Sequence, residues 1–375
     1  MLTSVLCANF FLAAAKPPPA YDRPAIYFTI YAEDKRIDVT DEYLRGNWYF
    51  YESQKKFRDG RSLYERAQKA TSVKKDFPEI WSIIKKLQND VEVKPYDGHI
   101  TFNPHAEPDK RFRVVNRRSG RDLDEAQLSR DILAALKSGE YRSIAARVRQ
   151  TQPCDPDDLL SRITLRGGYT TYFEDNDPRE HNIGLACQSL NGLVIPNGET
   201  VSFNKIVGRR CVDRGYQEAK IILDGEFVPG VGGGVCQVST TLFNAVLLAG
   251  LRIDKSYNHS LAVGYVPIGR DAMVSSAADL RFTNETGGTV YIEAGAQPAG
   301  EGPGACWVRI YGNKTNVKYQ PRTVVTEEEL REGEIDPARA ALTYIEAWNG
   351  EKLVNSKLVR KSKYRAVKEK REPTV

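Results

Sequence analysis

The stretch "FVPGVGGGVCQVSTTLFNAVLLAGL", residues 227–251, decides how this chain is read. Three consecutive glycines, Gly232, Gly233 and Gly234, lead through Val235 to Cys236, and a strongly apolar run follows. Val238, Leu242, Ala245 and Ala249 repeat at helical spacing, while Phe243, Val246, Leu247 and Leu248 make most of the remaining surface apolar. That pattern predicts a buried helix over residues 237–250, ended by Gly250. Cys236 then stands at a helix N-terminus. Unpaired N–H groups and the positive end of the helix dipole favour an anion there. A thiolate is such an anion, and the same N–H groups suit the oxyanion formed when a thiolate attacks a carbonyl. Two readings of Cys236 stand side by side. It is a small core residue at a crowded turn, as free cysteines often are, or it is a nucleophile.

A nucleophilic cysteine needs a base. His259, one of only four histidines, follows in "YNHSLAVGYVPIGRDAMV". Asp271 or Asp279 is then the orienter of its imidazole. Arg270 is a candidate for holding a substrate carboxylate through its planar fork. Gly232, Gly233, Gly234, Gln237 and Ser239 join Arg270 as candidate oxyanion or substrate contacts.

Outward from this segment, the chain of 375 residues is too long for one core and predicts two or three domains. Apolar residues make up 41% and charged residues 27%, ordinary for a folded soluble chain. The net charge of +5 comes with no nucleic-acid motif, so no nucleic-acid partner is expected. No window reaches the roughly 18 apolar residues of a spanning helix. Residues 2–15 resemble the apolar core of a secretion signal, with Ala13, Ala14 and Ala15 as its cleavage site, although no Lys or Arg precedes them. A Pro-rich spacer follows. The expected location is extracytoplasmic.

Six cysteines are too few for a disulfide scaffold, although Cys187 and Cys211 are conceivable partners. There is no C-x-x-C pair and no histidine at zinc-ligand spacing, so neither metal nor cofactor is expected.

Strand-like and helical segments alternate irregularly, which predicts an α+β fold. After a possible export segment and spacer (1–27), a first α+β domain spans 28–155. Its clearest helix is "DEAQLSRDILAALKSG", with Leu128, Ile132 and Leu136 on one face. Arg111, Arg113, Arg117 and Arg118 form its basic set. A second α+β domain, 156–313, carries a largely antiparallel sheet. Residues 314–375 form a β-hairpin turned at Asn349–Gly350 and a Lys/Arg-rich tail. Such a tail reads as a solvated face, with contact to a cell wall or membrane surface as the sharper alternative.

The motifs "GGGVCQVSTTLFNAVLLAGL", "NHSLAVGYVPIGRDAMV" and "DLRFTNET" closely resemble the VanW family, known from accessory genes of glycopeptide resistance and from Gram-positive cell-wall proteins. "GGYTTYF", "REHNIGLACQSLNG", "IPNGETVSFNKIVG" and "GYQEAKII" match in the same order, so the resemblance covers about residues 165–297. Val201 stands where members usually carry an aromatic. The region before it is similar to the peptidoglycan-binding-like domain that often precedes VanW domains. Some members are L,D-transpeptidases that use the cysteine of the Gly-Gly-Gly-x-Cys-Gln motif, which is Cys236 here. The resemblance therefore implies acyl transfer between peptidoglycan stem peptides. Two alternatives accompany it: a cysteine L,D-carboxypeptidase, and a non-catalytic wall-binding or glycopeptide-resistance accessory protein.

Overall fold

A computed structural model describes residues 26–40, 60–174, 177–223, 226–332 and 334–368. The export-like segment, the start of the charged stretch near Tyr43 and the last residues of the tail lie outside them. The fold is α+β with mostly antiparallel sheets. Two compact units divide the chain. One takes residues up to Asp97 together with Arg117–Pro153, and the other takes Gly98–Asn116 together with Cys154–Val375. The second unit thus includes a segment that the sequence places in the first domain, and it also includes the C-terminal extension.

In the first unit, strand Ile26–Ala32 pairs antiparallel with Lys35–Thr40 and parallel with Arg142–Ala145. Helices Gly60–Lys69, Val73–Asp76, Pro78–Val91 and Glu125–Ser138 supply its core. Phe28, Ile30, Phe77, Ile80, Ile84, Leu87, Leu128 and Ile132 are fully buried in it. Helix Glu125–Ser138 starts where the Asp124 side chain accepts the Gln127 N–H at 3.0 Å. It ends at Gly139, whose φ of 67° is the left-handed conformation that glycine adopts without strain. The stretch after it forms two short strands in different sheets, Arg142–Ala145 and Val148–Thr151.

The second unit is built on a four-stranded antiparallel sheet in the order Ile163–Phe173, Gly304–Asn313, Val290–Gln297, Leu193–Ile195. Helices Asp177–Leu190 and Val235–Ala249 pack on it. Almost all side chains of helix Val235–Ala249 are buried, the polar ones Gln237, Ser239, Thr240, Thr241 and Asn244 included. It lies so close to strand Ile163–Phe173 that a Cβ on Gly167 would sit 2.4 Å from the Ala249 nitrogen. Burying Leu242, Phe243, Val246 and Leu247 stabilises the unit by roughly 1.5–3 kcal/mol per side chain.

The segment Gly98–Asn116 forms a hairpin, His99–Phe102 with Phe112–Val115, whose Phe102 and Phe112 rings stack at 4.9 Å and contact Tyr291 and Tyr311. Arg111 of this hairpin is committed to the buried Glu293, at 2.9 Å. Arg113, Arg117 and Arg118 are exposed, as are His99 and His105.

After Asn313 comes a three-stranded sheet, Val317–Glu327, Arg339–Asn349 and Lys352–Tyr364, with the expected turn at Asn349 and Gly350. Cys187 faces Cys306, at 3.6 Å between sulfurs, rather than Cys211.

Candidate active site

The hairpin Glu218–Leu223 with Glu226–Val231 runs directly into the three glycines. Gly233 is pressed against that hairpin, where an added Cβ would meet the Lys220 carbonyl oxygen at 2.6 Å. Gly234 has φ +107°, and its Cβ would lie 2.9 Å from the Ile183 side chain. The chain therefore reverses from hairpin into helix in a space that only glycines fit. The buried Asn182 amide fixes the turn, donating to the Gln217 and Gly233 carbonyls at 2.9 and 3.0 Å. At the helix start, Val235 N–H donates to Gly232 O and Gln237 N–H to Gly234 O. Among the described residues the Cys236 N–H between them has no backbone carbonyl partner.

One face of helix Val235–Ala249 is polar, and it lies along the extended segment 270–274. The Cys236 thiol donates to Val274 O at 3.3 Å, and its sulfur accepts the Val274 N–H at 3.5 Å. Thr240 Oγ1 accepts the Ala272 N–H at 2.9 Å. Asn244 Nδ2 donates to Arg270 O at 2.8 Å. Residues four apart on the helix thus meet residues two apart on the extended chain. Four helical residues rise about 6 Å and two extended ones rise about 6.6 Å, so the two repeats keep step. Side chains of an extended chain alternate in direction, so Asp271 is free to serve a different neighbour.

That neighbour is His259. Its Nδ1 lies 2.7 Å from Asp271 Oδ2, and its backbone N–H donates to the same oxygen at 2.7 Å. An ionised carboxylate only accepts, so Nδ1 carries the proton and Nε2 is left for Cys236. The imidazole and the Cys236 sulfur line the same cleft, and each shifts the proton affinity of the other. Burial acts to depress the His259 pKa, but Asp271 and Cys236 outweigh it and raise it to about 9. Burial acts to push the Cys236 thiol up, but His259, the Val274 N–H and the charge of Arg210 bring it below the ordinary value. Burial likewise works against ionised Asp271, yet His259, Arg360 and Tyr364 hold its carboxyl low. The shifts favour a thiolate beside an imidazolium backed by a carboxylate.

Cys236 and His259 open onto a cleft of about 1550 Å³. Gly232, Gly233, Gly234 and Gln237 line it too, as do Arg179, Arg209, Arg210 and Lys220, with Glu174 as the acidic group. The walls are therefore basic. Tyr265, beside Cys236, keeps its hydroxyl proton because burial pushes its pKa up.

Three other sequence candidates sit outside this arrangement. Ser239 is fully buried and donates to Ala272 O at 2.5 Å. Arg270 is buried behind the cleft, with its Nε donating to Asn244 Oδ1 at 2.6 Å and its guanidinium over the Tyr169 ring. Asp279 accepts from Ser202 Oγ and Asn204 N–H and pairs with Arg281, so it does not reach His259. The Gln237 side chain touches the cleft wall but is spent on the fold. Its Nε2 donates to Thr171 Oγ1 and Tyr172 O, and its Oε1 accepts from Arg179. Among the described residues no group of three or more His, Cys, Asp and Glu side chains is arranged to hold a metal ion.

Two residues absent from the sequence reading touch Asp271. Tyr364 donates its hydroxyl to Asp271 Oδ1 at 2.5 Å. Arg360 Nη2 donates to the Asp271 and Gly269 carbonyls at 2.7 and 3.1 Å, and lies 3.4 Å from Oδ1. A period-2 signal points to them: Arg360, Ser362 and Tyr364 are buried, while Lys361 and Lys363 between them are exposed.

A family model described as "VanW like protein" matches residues 178–300. The chain is 37% identical over 223 residues to Uncharacterized protein YoaR of Bacillus subtilis (strain 168), which covers 58% of this chain and 71% of the relative. It is 32% identical over 131 residues to Vancomycin B-type resistance protein VanW of Enterococcus faecalis (strain ATCC 700802 / V583), which covers 33% of this chain and 47% of that one. No solved structure matches.

Proposed function

This chain belongs to the VanW family, and on that premise we propose that it is a cysteine acyltransferase of the L,D-transpeptidase type, acting on peptidoglycan stem peptides outside the cytoplasmic membrane. The observation that carries the reading is the pairing of His259 with the buried Asp271, with His259 and Cys236 lining one basic cleft.

The Cys236 thiolate attacks the carbonyl carbon of the third stem-peptide residue. The N–H groups at the start of the helix that carries Cys236 suit the oxyanion that forms. The tetrahedral intermediate collapses, and the terminal D-alanine leaves with a proton from His259. A thioester to Cys236 remains. An amine of a neighbouring stem attacks it, gives its proton back to His259 and forms the crosslinking amide. Two easier steps replace one hard one. Asp271 holds the tautomer that directs Nε2 at the sulfur and stabilises the imidazolium. Arg209, Arg210 and Lys220 suit the carboxylates of stem peptides. The first compact unit serves as the wall-binding part, and the basic C-terminal strand as a further contact with the wall or membrane surface.

The test is incubation of the full chain with muropeptides, followed by peptide mass spectrometry. An acyl adduct on Cys236 together with crosslinked dimers supports the transferase. Tetrapeptide shortened to tripeptide without dimers makes the chain a hydrolase. Absence of both adduct and product makes it a non-catalytic binding protein.

A further inference from the structure

We infer that Arg360 and Tyr364, on the C-terminal strand Lys352–Tyr364, are positioning residues that hold the Asp271 carboxylate in service of Cys236. The inference rests on the nucleophile reading above. Both residues lie beyond the 178–300 segment that the family model matches. Asp271 divides its two oxygens. Oδ2 takes the His259 ring and backbone N–H groups, and Oδ1 takes the Tyr364 hydroxyl and faces Arg360. The backbone is held as well. Arg360 Nη2 reaches two carbonyls of the 269–271 turn, Thr343 Oγ1 donates to Gly269 O at 2.8 Å, and Gly269 N–H donates to the Tyr364 oxygen at 3.0 Å. Arg360 itself is seated over the Phe243 ring of the site helix, 5.2 Å from its centroid. An otherwise basic strand thus places a buried cation and a buried hydroxyl on the back of the carboxylate.

A carboxylate buried at this depth stays ionised only with such donors. Without them it either takes a proton or turns away, and the imidazolium loses its counter-charge. The thiolate then loses its own partner. The charged and titratable groups that bear on this chain of effects are His259, Arg210, Tyr265, Arg360 and Tyr364.

The test is the rate of Cys236 alkylation by iodoacetamide as a function of pH, in the full chain and without substrate. Tyr364→Phe keeps the ring and removes the hydroxyl that donates to Asp271 and accepts the Gly269 N–H, and Arg360→Gln is the stronger variant. The midpoint of the alkylation profile should move to higher pH in both, with the rate at neutral pH falling several-fold or more. In an Asp271→Asn background the same substitutions should add nothing, which a merely structural role would not produce. An unmoved or lowered midpoint, or an equal shift in the Asp271→Asn background, would overturn the inference while leaving a reactive Cys236 in place. A Cys236 that is inert in the unsubstituted chain would overturn both this inference and the nucleophile reading.

A different observation carries a second proposal: the geometry points to Cys187 and Cys306 as a disulfide-forming pair. Both are buried in the core of the second unit, on helix Asp177–Leu190 and strand Gly304–Asn313, and their sulfurs lie 3.6 Å apart. Closing to the roughly 2.05 Å of a disulfide takes a shift of about 1.5 Å. Neither contacts Cys236 in the hydrogen-bond network, so the bond would pin sheet to helix without consuming the nucleophile. The oxidant is a low-molecular-weight disulfide such as glutathione disulfide. One S–S bond forms, the two thiol protons are released to its two thiolates, and it is reduced to two thiols. The full chain is refolded in a glutathione redox buffer, denatured, alkylated and digested. A linked Cys187–Cys306 peptide beside an alkylated Cys236 is the expected result, with a lower Tm after reduction. Alkylated Cys187 and Cys306 peptides with no linked species would overturn it.

Discussion

Two segments reach the Asp271 carboxylate from opposite sides, and they announce themselves very differently. Residues 232–259 carry Cys236 at the start of a helix behind a glycine triplet, and bring the ring and backbone N–H of His259 to one oxygen. Residues 352–364 bring Arg360 and Tyr364 to the other oxygen from an outwardly basic strand. The first segment is conspicuous because its backbone is unusual. Glycine at three successive positions is required by close approach and positive φ, and such demands leave a compositional mark. The second uses ordinary β-structure, and its function lies only in which face is turned inward. A site can thus be half visible as a motif and half hidden in alternation.

The largest expected effect comes from breaking the conspicuous side. Cys236→Ala should abolish acyl-adduct formation while costing about 1 kcal/mol of stability in urea unfolding, since it removes one small side-chain atom at a partly buried site. Cys236→Ser should be nearly as inactive, because a hydroxyl stays protonated where a thiol does not. Next comes the shared carboxylate. Asp271→Asn keeps the shape but not the charge, and single-turnover acylation should slow by about 10⁴-fold, as wrong-tautomer substitutions do in Ser-His-Asp enzymes. If Asp271→Asn is silent, the two segments do not work through this residue.

The pH dependence sharpens the comparison. The His259 pKa is raised from 6.5 to about 9 in the folded chain. Its stabilisation is therefore fully present below 6.5 and lost as pH rises through about 9. The stability difference between the unsubstituted chain and His259→Gln should narrow across that window in denaturant titrations. The basic limb of the acylation profile should fall near pH 9, where the imidazolium that protonates the leaving amine disappears. A basic limb near 6.5 would mean that Asp271 and Cys236 do not raise His259.

The smallest effects separate the two faces of the C-terminal strand. Tyr364→Phe should cost about 1–3 kcal/mol for its two lost hydrogen bonds, one of them to a carboxylate. Lys361→Ala and Lys363→Ala, whose side chains face solvent, should stay within about 0.5 kcal/mol of the parent. Equal losses on both faces would remove the distinction drawn between them.

Much of the fold could be read in advance. The mostly apolar pattern of residues 237–250 pointed to a buried helix, and Asn349–Gly350 to the hairpin turn. The Cys236, His259 and Asp271 set was legible because a helix start, a scarce histidine and a nearby carboxylate were all within forty residues. Ser239 and Arg270 were misplaced for one physical reason. The register between the helix and segment 270–274 turns Ser239 and the Arg270 backbone toward each other's element, so their polar groups satisfy the packing and not a ligand. Nothing local in a sequence reports such a register. The same holds for Gln237, whose amide ties the helix start to strand Ile163–Phe173.

The central claim is that His259 and Asp271 lower the Cys236 pKa and so make its thiolate available. The most direct measurement is the pH profile of Cys236 alkylation in the full chain, read by peptide mass spectrometry beside His259→Gln. The account predicts rapid modification well below the ordinary thiol range in the unsubstituted chain, and a midpoint moved to higher pH in His259→Gln. A midpoint at or above that of an ordinary thiol, unchanged by His259→Gln, would contradict it and return Cys236 to the core.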